Sequence, residues 1–420
     1  MAEEIQVRVW ILVALGMVMS ASALWAPVSQ ATITPAGTAT EKASPLVPLE
    51  AFFSDPEFSQ PQLSPSGNKL AVLHEVAGLP SRNLKVINFS TNKGMVLTAY
   101  RQHEIVWYVW LDENRIAYRA EIPSDGETPA AIRGSELFNV VDLSGRRPEI
   151  TRFSVARKAM SAQRRSAELA TWQSLRLLDP RPIDRNHLLV TVRSDNADSP
   201  SGVSRDVAAS MHPYTDVATV DVRSGRIRRL ATNPGQVYHW LVDRDGNARI
   251  AMQLDDDLNV NVLHRDKDDE DWKTIHSFSY SEAGVWPLAF ASDPNLVYVL
   301  SNRERDTKAL YTLNLQTGQF DEELFAHDTV DVTGILLSRD GSWAIGARYE
   351  TDRARIHYFD PYRQAIDTEL ADALSEYEID VQFSDDSSIA LVTAHNEKNP
   401  GRFYRFDTDS GRLRELFRMQ

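Results

Sequence analysis

The feature that most limits what this chain can fold into is a module of about 45 residues that recurs seven times. Its clearest copy runs Leu336-Leu-Ser-Arg-Asp-Gly-Ser-Trp-Ala-Ile-Gly-Ala-Arg-Tyr349, then, after a polar gap, Ile356-His-Tyr-Phe-Asp-Pro-Tyr362. The pattern is an apolar strand, a Ser-x-Asp-Gly turn and a second strand, then a third strand ending in Asp, a turn and a fourth strand. The turns need Gly or Asp because their backbone visits positive φ. The strands are short and alternate apolar with polar residues, so each small sheet is half buried or sandwiched. A lone four-stranded sheet cannot cover both its faces, so the copies must stack.

The modules start near residues 63, 109, 177, 241, 290, 336 and 381, in steps of 46, 68, 64, 49, 46 and 45. Four of the six steps match the length of a propeller blade, and the two long ones require insertions. The spacing therefore predicts an all-β, seven-bladed β-propeller of four-stranded antiparallel blades over residues 49–420, preceded by a signal peptide or N-terminal helix. Each module supplies its own four strands, the first and last included. No strand is left to exchange between the ends, so ring closure is expected to rest on apolar packing of blade 1 against blade 7.

In chain order, Val9 to Ala26 carries no charge, and small residues follow at Ala21-Ser-Ala23 and Ser29-Gln-Ala31. Residues 1–31 read as a secretory signal peptide. Glu3 and Glu4 stand against Arg8 where a positive leader is expected, and an uncleaved membrane anchor is the rival reading. Residues 32–48 form a linker rich in Thr, Ala and Pro. The first long step holds Ser154–Ser174, the best helical stretch after the leader on propensity and locally basic through Arg157, Lys158, Arg164 and Arg165. It reads as a solvated insertion helix or as a docking element for an acidic partner. The second long step holds Ser194–Thr215, a polar loop between strands of the third blade.

Composition narrows the function. The net charge is −14, from 45 basic and 59 acidic residues. That balance disfavours general binding of nucleic acid, which needs a basic surface. There is no cysteine, which removes disulfides, thiolate zinc sites and a cysteine nucleophile. Of nineteen glycines only Gly202 has a serine two positions on, Ser204, and position 206 is Asp rather than the Gly of a nucleophile elbow. His74-Glu75 and His103-Glu104 lack the second histidine of a zinc helix. The acidic runs Asp255–Asp257 and Asp266–Asp271 lack the spacing of a calcium loop and fall at turns. Glu322-Glu323 could hold an amino group, or could be a solvated strand-edge pair. Asn88-Phe-Ser90 is a formal glycosylation sequon. The residues thus nominate no catalytic residue, no cofactor-binding residue and no metal ligand.

Three stretches carry a resemblance. Leu49-Glu-Ala-Phe-Phe-Ser-Asp-Pro-Glu-Phe-Ser-Gln-Pro-Gln-Leu-Ser-Pro-Ser-Gly-Asn-Lys-Leu-Ala-Val-Leu73 resembles the opening of the propeller in bacterial prolyl oligopeptidase-family enzymes, of the dipeptidyl aminopeptidase and acylaminoacyl peptidase type. Trp240-Leu-Val-Asp-Arg-Asp-Gly-Asn-Ala-Arg-Ile250 and the run from Gly346 to Asp360 resemble later blades of that family, over about residues 49–418 in all. The Ser-Pro-Ser-Gly turn is shared with TolB-like propellers. In the family an α/β-hydrolase domain follows and brings the catalytic triad; here the chain reaches Gln420 where the last blade should end, so no triad residue carries over. The resemblance implies the propeller's own task, covering an active site and limiting access to small peptides.

Three functions are therefore expected in turn. The first is an exported, non-catalytic propeller, periplasmic or extracellular, that binds a peptide or protein through one face. The second is the propeller half of a serine peptidase, working with a separate α/β-hydrolase domain. The third is an independent propeller enzyme with carboxylates around the central channel. No partner in a membrane is expected beyond the possible N-terminal anchor, and no cofactor.

Overall fold

A computed structural model describes residues 58–76, 78–79, 81–122, 138–153, 175–194, 214–266, 271–279 and 283–419, with the backbone of 4–6. The signal peptide, the linker, the Ser154–Ser174 stretch, most of the Ser194–Thr215 loop and the Gly202–Ser204 pair lie outside the described residues, apart from a strand at Glu4–Gln6. Seven antiparallel sheets follow one another along the chain, as the repeat predicts. They are blade 1 (58–96), blade 2 (104–153), blade 3 (176–231), blade 4 (237–279), blade 5 (285–325), blade 6 (332–358) and blade 7 (378–418). Within each, strands pair in simple sequence order.

The first strand of each blade is the inner one. The first strands of blades 4 and 5 approach each other, as do those of blades 1 and 7. The fourth strands face outward; in Lys93–Val96 of blade 1 every residue is exposed. The second and third strands are the most deeply buried, and their apolar faces stack blade on blade. Val109, Phe138 and Val140 of blade 2, for example, share one cluster with Leu188, Val190 and Val220 of blade 3. Burial of this kind, at about 25 cal/mol per Å2 of apolar surface, drives the stacking.

The turn chemistry read from sequence recurs in geometry. Between first and second strands, a serine or aspartate side chain accepts a hydrogen bond from a backbone N–H on the far side of the turn. The pairs are Ser64 with Lys69 (3.1 Å), Asp243 with Asn247 (2.9 Å), Ser338 with Trp343 (3.1 Å) and Ser384 with Ile389 (3.0 Å). The residue three positions after each has positive φ: Gly67, Gly246, Gly341 and Ser387. Between third and fourth strands, Asp221, Asn314 and Asp407 cap their turns ahead of Gly225, Gly318 and Gly411, all at positive φ. Because these two sets of turns alternate with the remaining connections, they lie on one face of the disc, the turn face. The other connections lie on the opposite, loop face.

Ring closure departs from the expectation in one respect: the N-terminal strand Glu4–Gln6 pairs antiparallel with the outer strand of blade 7, Ile5 lying opposite Leu413, and makes that sheet five-stranded. Between blades 1 and 7 themselves the contact is apolar packing, as expected. Phe58, Leu63, Leu70 and Val72 of blade 1 share one apolar cluster with Ile389, Leu391 and Phe403 of blade 7. Two polar links register the seam: Leu63 N–H donates to Gln382 Oε1 (2.9 Å) and Asp385 N–H donates to the Pro65 carbonyl (2.8 Å). Gly67 fits here because a Cβ would come within 2.6 Å of Ile389.

Blade 6 departs from the four-strand pattern. It has three strands, and the chain then forms helix α1, Pro361–Ala373. Asp360 caps it, its carboxylate accepting from Tyr362 N–H (2.9 Å), and proline sits in the first turn, where its missing N–H costs nothing. Ile366, Leu370 and Leu374 pack on Phe383, Val392 and Phe406 of blade 7. The helix therefore covers the seam between blades 6 and 7.

Candidate functional site

The inner strands line an axial channel, and several carry a local bulge near the loop face. The register shifts between Ser59 and Gln62, Ile105 and Trp107, Val237 and His239, Pro287 and Ala289, and Val332 and Gly334. A bulge kinks the strand and re-aims a side chain. Gln60, Val106, Tyr238 and Thr333 sit in these kinks and are exposed, although their strands are the innermost ones. Val106 is 45 % exposed and Tyr238 39 %. His239 stands beside Tyr238. Its ring is reached by solvent, yet surrounding protein pulls its pKa below the ordinary histidine range by desolvation, so it is neutral at pH 7.

One end of the channel is bridged. On the turn face the blade 6 turn, 338–342, reaches its two neighbours, blades 5 and 7, and also blades 1, 3 and 4, which are not its neighbours. The guanidinium of Arg181, from blade 3, occupies the space a side chain at Gly341 would need. The Ser342 carbonyl accepts from Arg244 of blade 4 (2.6 Å) and from Ser292 Oγ of blade 5 (2.6 Å). Arg339 donates to the Leu63 carbonyl of blade 1 (3.3 Å) and pairs with Asp385 of blade 7. Neighbouring blades are tied on the same face. Lys69 of blade 1 pairs with Glu113 of blade 2 (2.9 Å). Burial works against the Glu113 charge, but hydrogen bonds from Lys69 and Ser66 hold its carboxyl below the ordinary range.

The loop face is where the long connections 123–137, 154–174 and 195–213 leave and rejoin their strands. Carboxylates gather at the strand ends there. Glu104 lies directly across the ladder from Glu121. Glu121 pairs with buried Arg119 (2.6 Å) and lies 3.8 Å from Arg176. Glu378 and Asp380 are exposed on the inner strand of blade 7, Asp380 lying 3.9 Å from His395.

The residues singled out in the sequence are scattered. His74 stacks on Phe58 (4.7 Å between ring centres) and His103 lies against Tyr100 (5.1 Å). Glu322 and Glu323 are on the outer strand of blade 5, and Glu323 pairs with Arg305 (3.2 Å). Asp255 caps its own turn, accepting from Asn259 N–H (2.8 Å), and that hydrogen bonding lowers its pKa. Asp266 pairs with Arg249 (3.2 Å). Among the described residues no group of three or more acidic or histidine side chains is placed to hold a metal ion. The axial groups had no spacing to betray them, since each inner strand contributes one or two.

No family model matches the chain. It is 24 % identical over 209 residues to dipeptidyl aminopeptidase BIII of Pseudoxanthomonas mexicana, a match covering 49 % of this chain and 30 % of the relative. Among solved structures it resembles one from a study of two prolyl endopeptidases, with a TM-score of 0.52 and 10 % identity over 87 % of this chain and 50 % of that one. It also resembles prolyl oligopeptidase B of Galerina marginata, at a TM-score of 0.50 and 11 % identity, over 87 % of this chain and 51 % of that one. The chain thus spans less than a third of the curated relative and about half of each solved enzyme. The chain is a seven-bladed β-propeller resembling the propeller domain of the prolyl oligopeptidase family, with its sequence match to the dipeptidyl aminopeptidase branch.

Proposed function

We propose that this is a binding propeller that takes a peptide or protein partner at its loop face and axial channel and supplies no catalytic group itself. The observation that carries the reading is the pair of exposed apolar side chains, Val106 and Tyr238, on inner strands of a channel bridged at its other end. A ligand reaches them from the loop face. Val106→Trp puts a large ring at this exposed inner-strand position. A randomised linear octapeptide pool is expected to bind the unaltered protein and to lose at least tenfold in affinity for the variant. Equal binding to both places the ligand elsewhere, and no binding by the pool removes the peptide reading.

A second reading has its own support, the sequence match to a dipeptidyl aminopeptidase. In it, this propeller gates an α/β-hydrolase domain. Blade 1 begins and blade 7 ends at the loop face, so a domain joined to either blade would lie over the channel mouth. Adding the isolated hydrolase domain of the relative and following release of dipeptides from a chromogenic substrate tests it; unchanged turnover counts against it. Export is part of both readings and rests on the uncharged run Val9 to Ala26. Sequencing the N-terminus of the mature chain tests it. No helix among the described residues is long and apolar enough to cross a membrane.

A further inference from the structure

A cleft of about 550 Å3 opens along the seam between blades 4 and 5. The outer strand of blade 4, Lys273–Ser279, contributes His276, Ser277 and Phe278; blade 5 contributes Ser301, Arg303 and Phe320. His276 is the unusual member. Its Nε2 is buried and has no hydrogen-bond partner. Burial pulls the imidazole below its ordinary pKa, and a hydrogen bond to the Gly318 backbone only partly opposes this. The ring is therefore neutral at pH 7. In the tautomer that carries its proton on Nδ1, Nε2 is a bare acceptor. An acceptor left unsatisfied in protein rewards a ligand that brings a donor.

The rest of the lining specifies what else that ligand carries. The Arg303 guanidinium lies over the Phe320 ring, 4.7 Å from its centre. Its ion partner is the exposed Glu304 at 3.1 Å, a surface pair of little strength that a better-placed carboxylate can displace. Phe278 and Phe320 offer apolar surfaces. Gly284 lets Phe278 meet Trp286 edge to face at 5.6 Å, since a Cβ there would come within 2.5 Å of the Phe278 ring.

We infer that this cleft binds a carboxylate with an adjacent N–H and an apolar side chain, the chemistry shared by a peptide C-terminus and an N-acyl amino acid. The carboxylate meets Arg303 through charge-assisted hydrogen bonds, the N–H donates to His276 Nε2 and the side chain lies against Phe278 and Phe320. A free amino acid fits less well, because its ammonium group would come close to Arg303. The cleft is separate from the axial groups, so this inference stands whether or not the channel takes a peptide.

The test is calorimetric titration of the full chain with N-acetyl-leucine and with N-acetyl-leucinamide. The acid is expected to bind at least tenfold more tightly than the amide, and Arg303→Ala to erase that difference. His276→Phe, a ring of similar size, is expected to weaken the acid while leaving its preference over the amide. A tripeptide ending in leucine that competes as well as N-acetyl-leucine assigns the cleft to peptide C-termini; weaker competition assigns it to small acyl amino acids. Equal binding of acid and amide, no binding of either, or binding abolished by Val106→Trp overturns the inference.

Discussion

Arg181 and Gly341 share one space: the guanidinium from the blade 3 turn fills the position that a Cβ at 341 would take. Gly341 also has φ +70°, where side chains are strained. Gly341→Ala is expected to lower stability by about 1–3 kcal/mol. In an Arg181→Ala background the same change should cost less, because part of the penalty is displacement of that guanidinium. Urea unfolding of the two singles and the double measures the coupling. Additive effects would mean that the two residues do not touch.

Asp367 gives the fold a pH dependence. It lies on the α1 face that carries Ile366 and Leu370, and its Oδ1 is buried without a partner. Burial raises its carboxyl from 3.8 to about 7, with nearby Arg348 opposing the rise. The native state thus holds a proton that the unfolded chain releases once pH exceeds its ordinary carboxylate value. Stability from this group falls as pH rises from about 4 to about 7, and stays low above that. Asp367→Asn should be more stable than the unaltered protein at pH 8, with the gap closing below pH 4. Thermal midpoints across that range check it, and a constant gap would refute it.

The seam that closes the ring is apolar, so its residues should outweigh those at the rim. Ile389→Ala is expected to cost about 2–5 kcal/mol, as for other buried truncations. Met95→Ala, on the exposed outer strand of blade 1, should stay within about 0.5 kcal/mol. Equal costs would point to a ring held elsewhere.

Asp360→Ala removes the cap of α1 and should cost about 1 kcal/mol, with Asp360→Asn retaining most of it. Chemical denaturation of the three proteins distinguishes a cap from a simple surface charge.

That helix also shows where the sequence was opaque. The strand repeat was legible because each blade solves the same problem, two faces to cover and turns at positive φ, with the same residue types. Gly67, Gly246 and Gly341 recur for one physical reason. Asp360-Pro361 was a readable helix start, but the run after it is only weakly amphipathic, and the repeat favoured another strand. Helical propensity instead drew attention to Ser154–Ser174, outside the described residues. The site was less legible. Val106, Tyr238 and Thr333 come from different blades, and what they share, exposure at a bulge of an inner strand, has no sequence signature. His276 and Arg303 have no common motif, and only the stacking of blade 4 on blade 5 brings them to one cleft.

The blade 6 turn has a consequence for how the protein comes apart. In an array whose units touch only their neighbours, stability is a sum over adjacent interfaces, and an end unit can peel away alone. Here residues 338–342 bond to blades 1, 4, 5 and 7 and pack against Arg181 of blade 3. Two of these contacts join segments more than 150 residues apart in sequence, Arg181 with Gly341 and Arg339 with Leu63, and cannot form until most of the chain is collected. Folding then becomes all-or-none around a late-arriving keystone, and a fragment ending before blade 6 lacks far more than one blade's share of the structure.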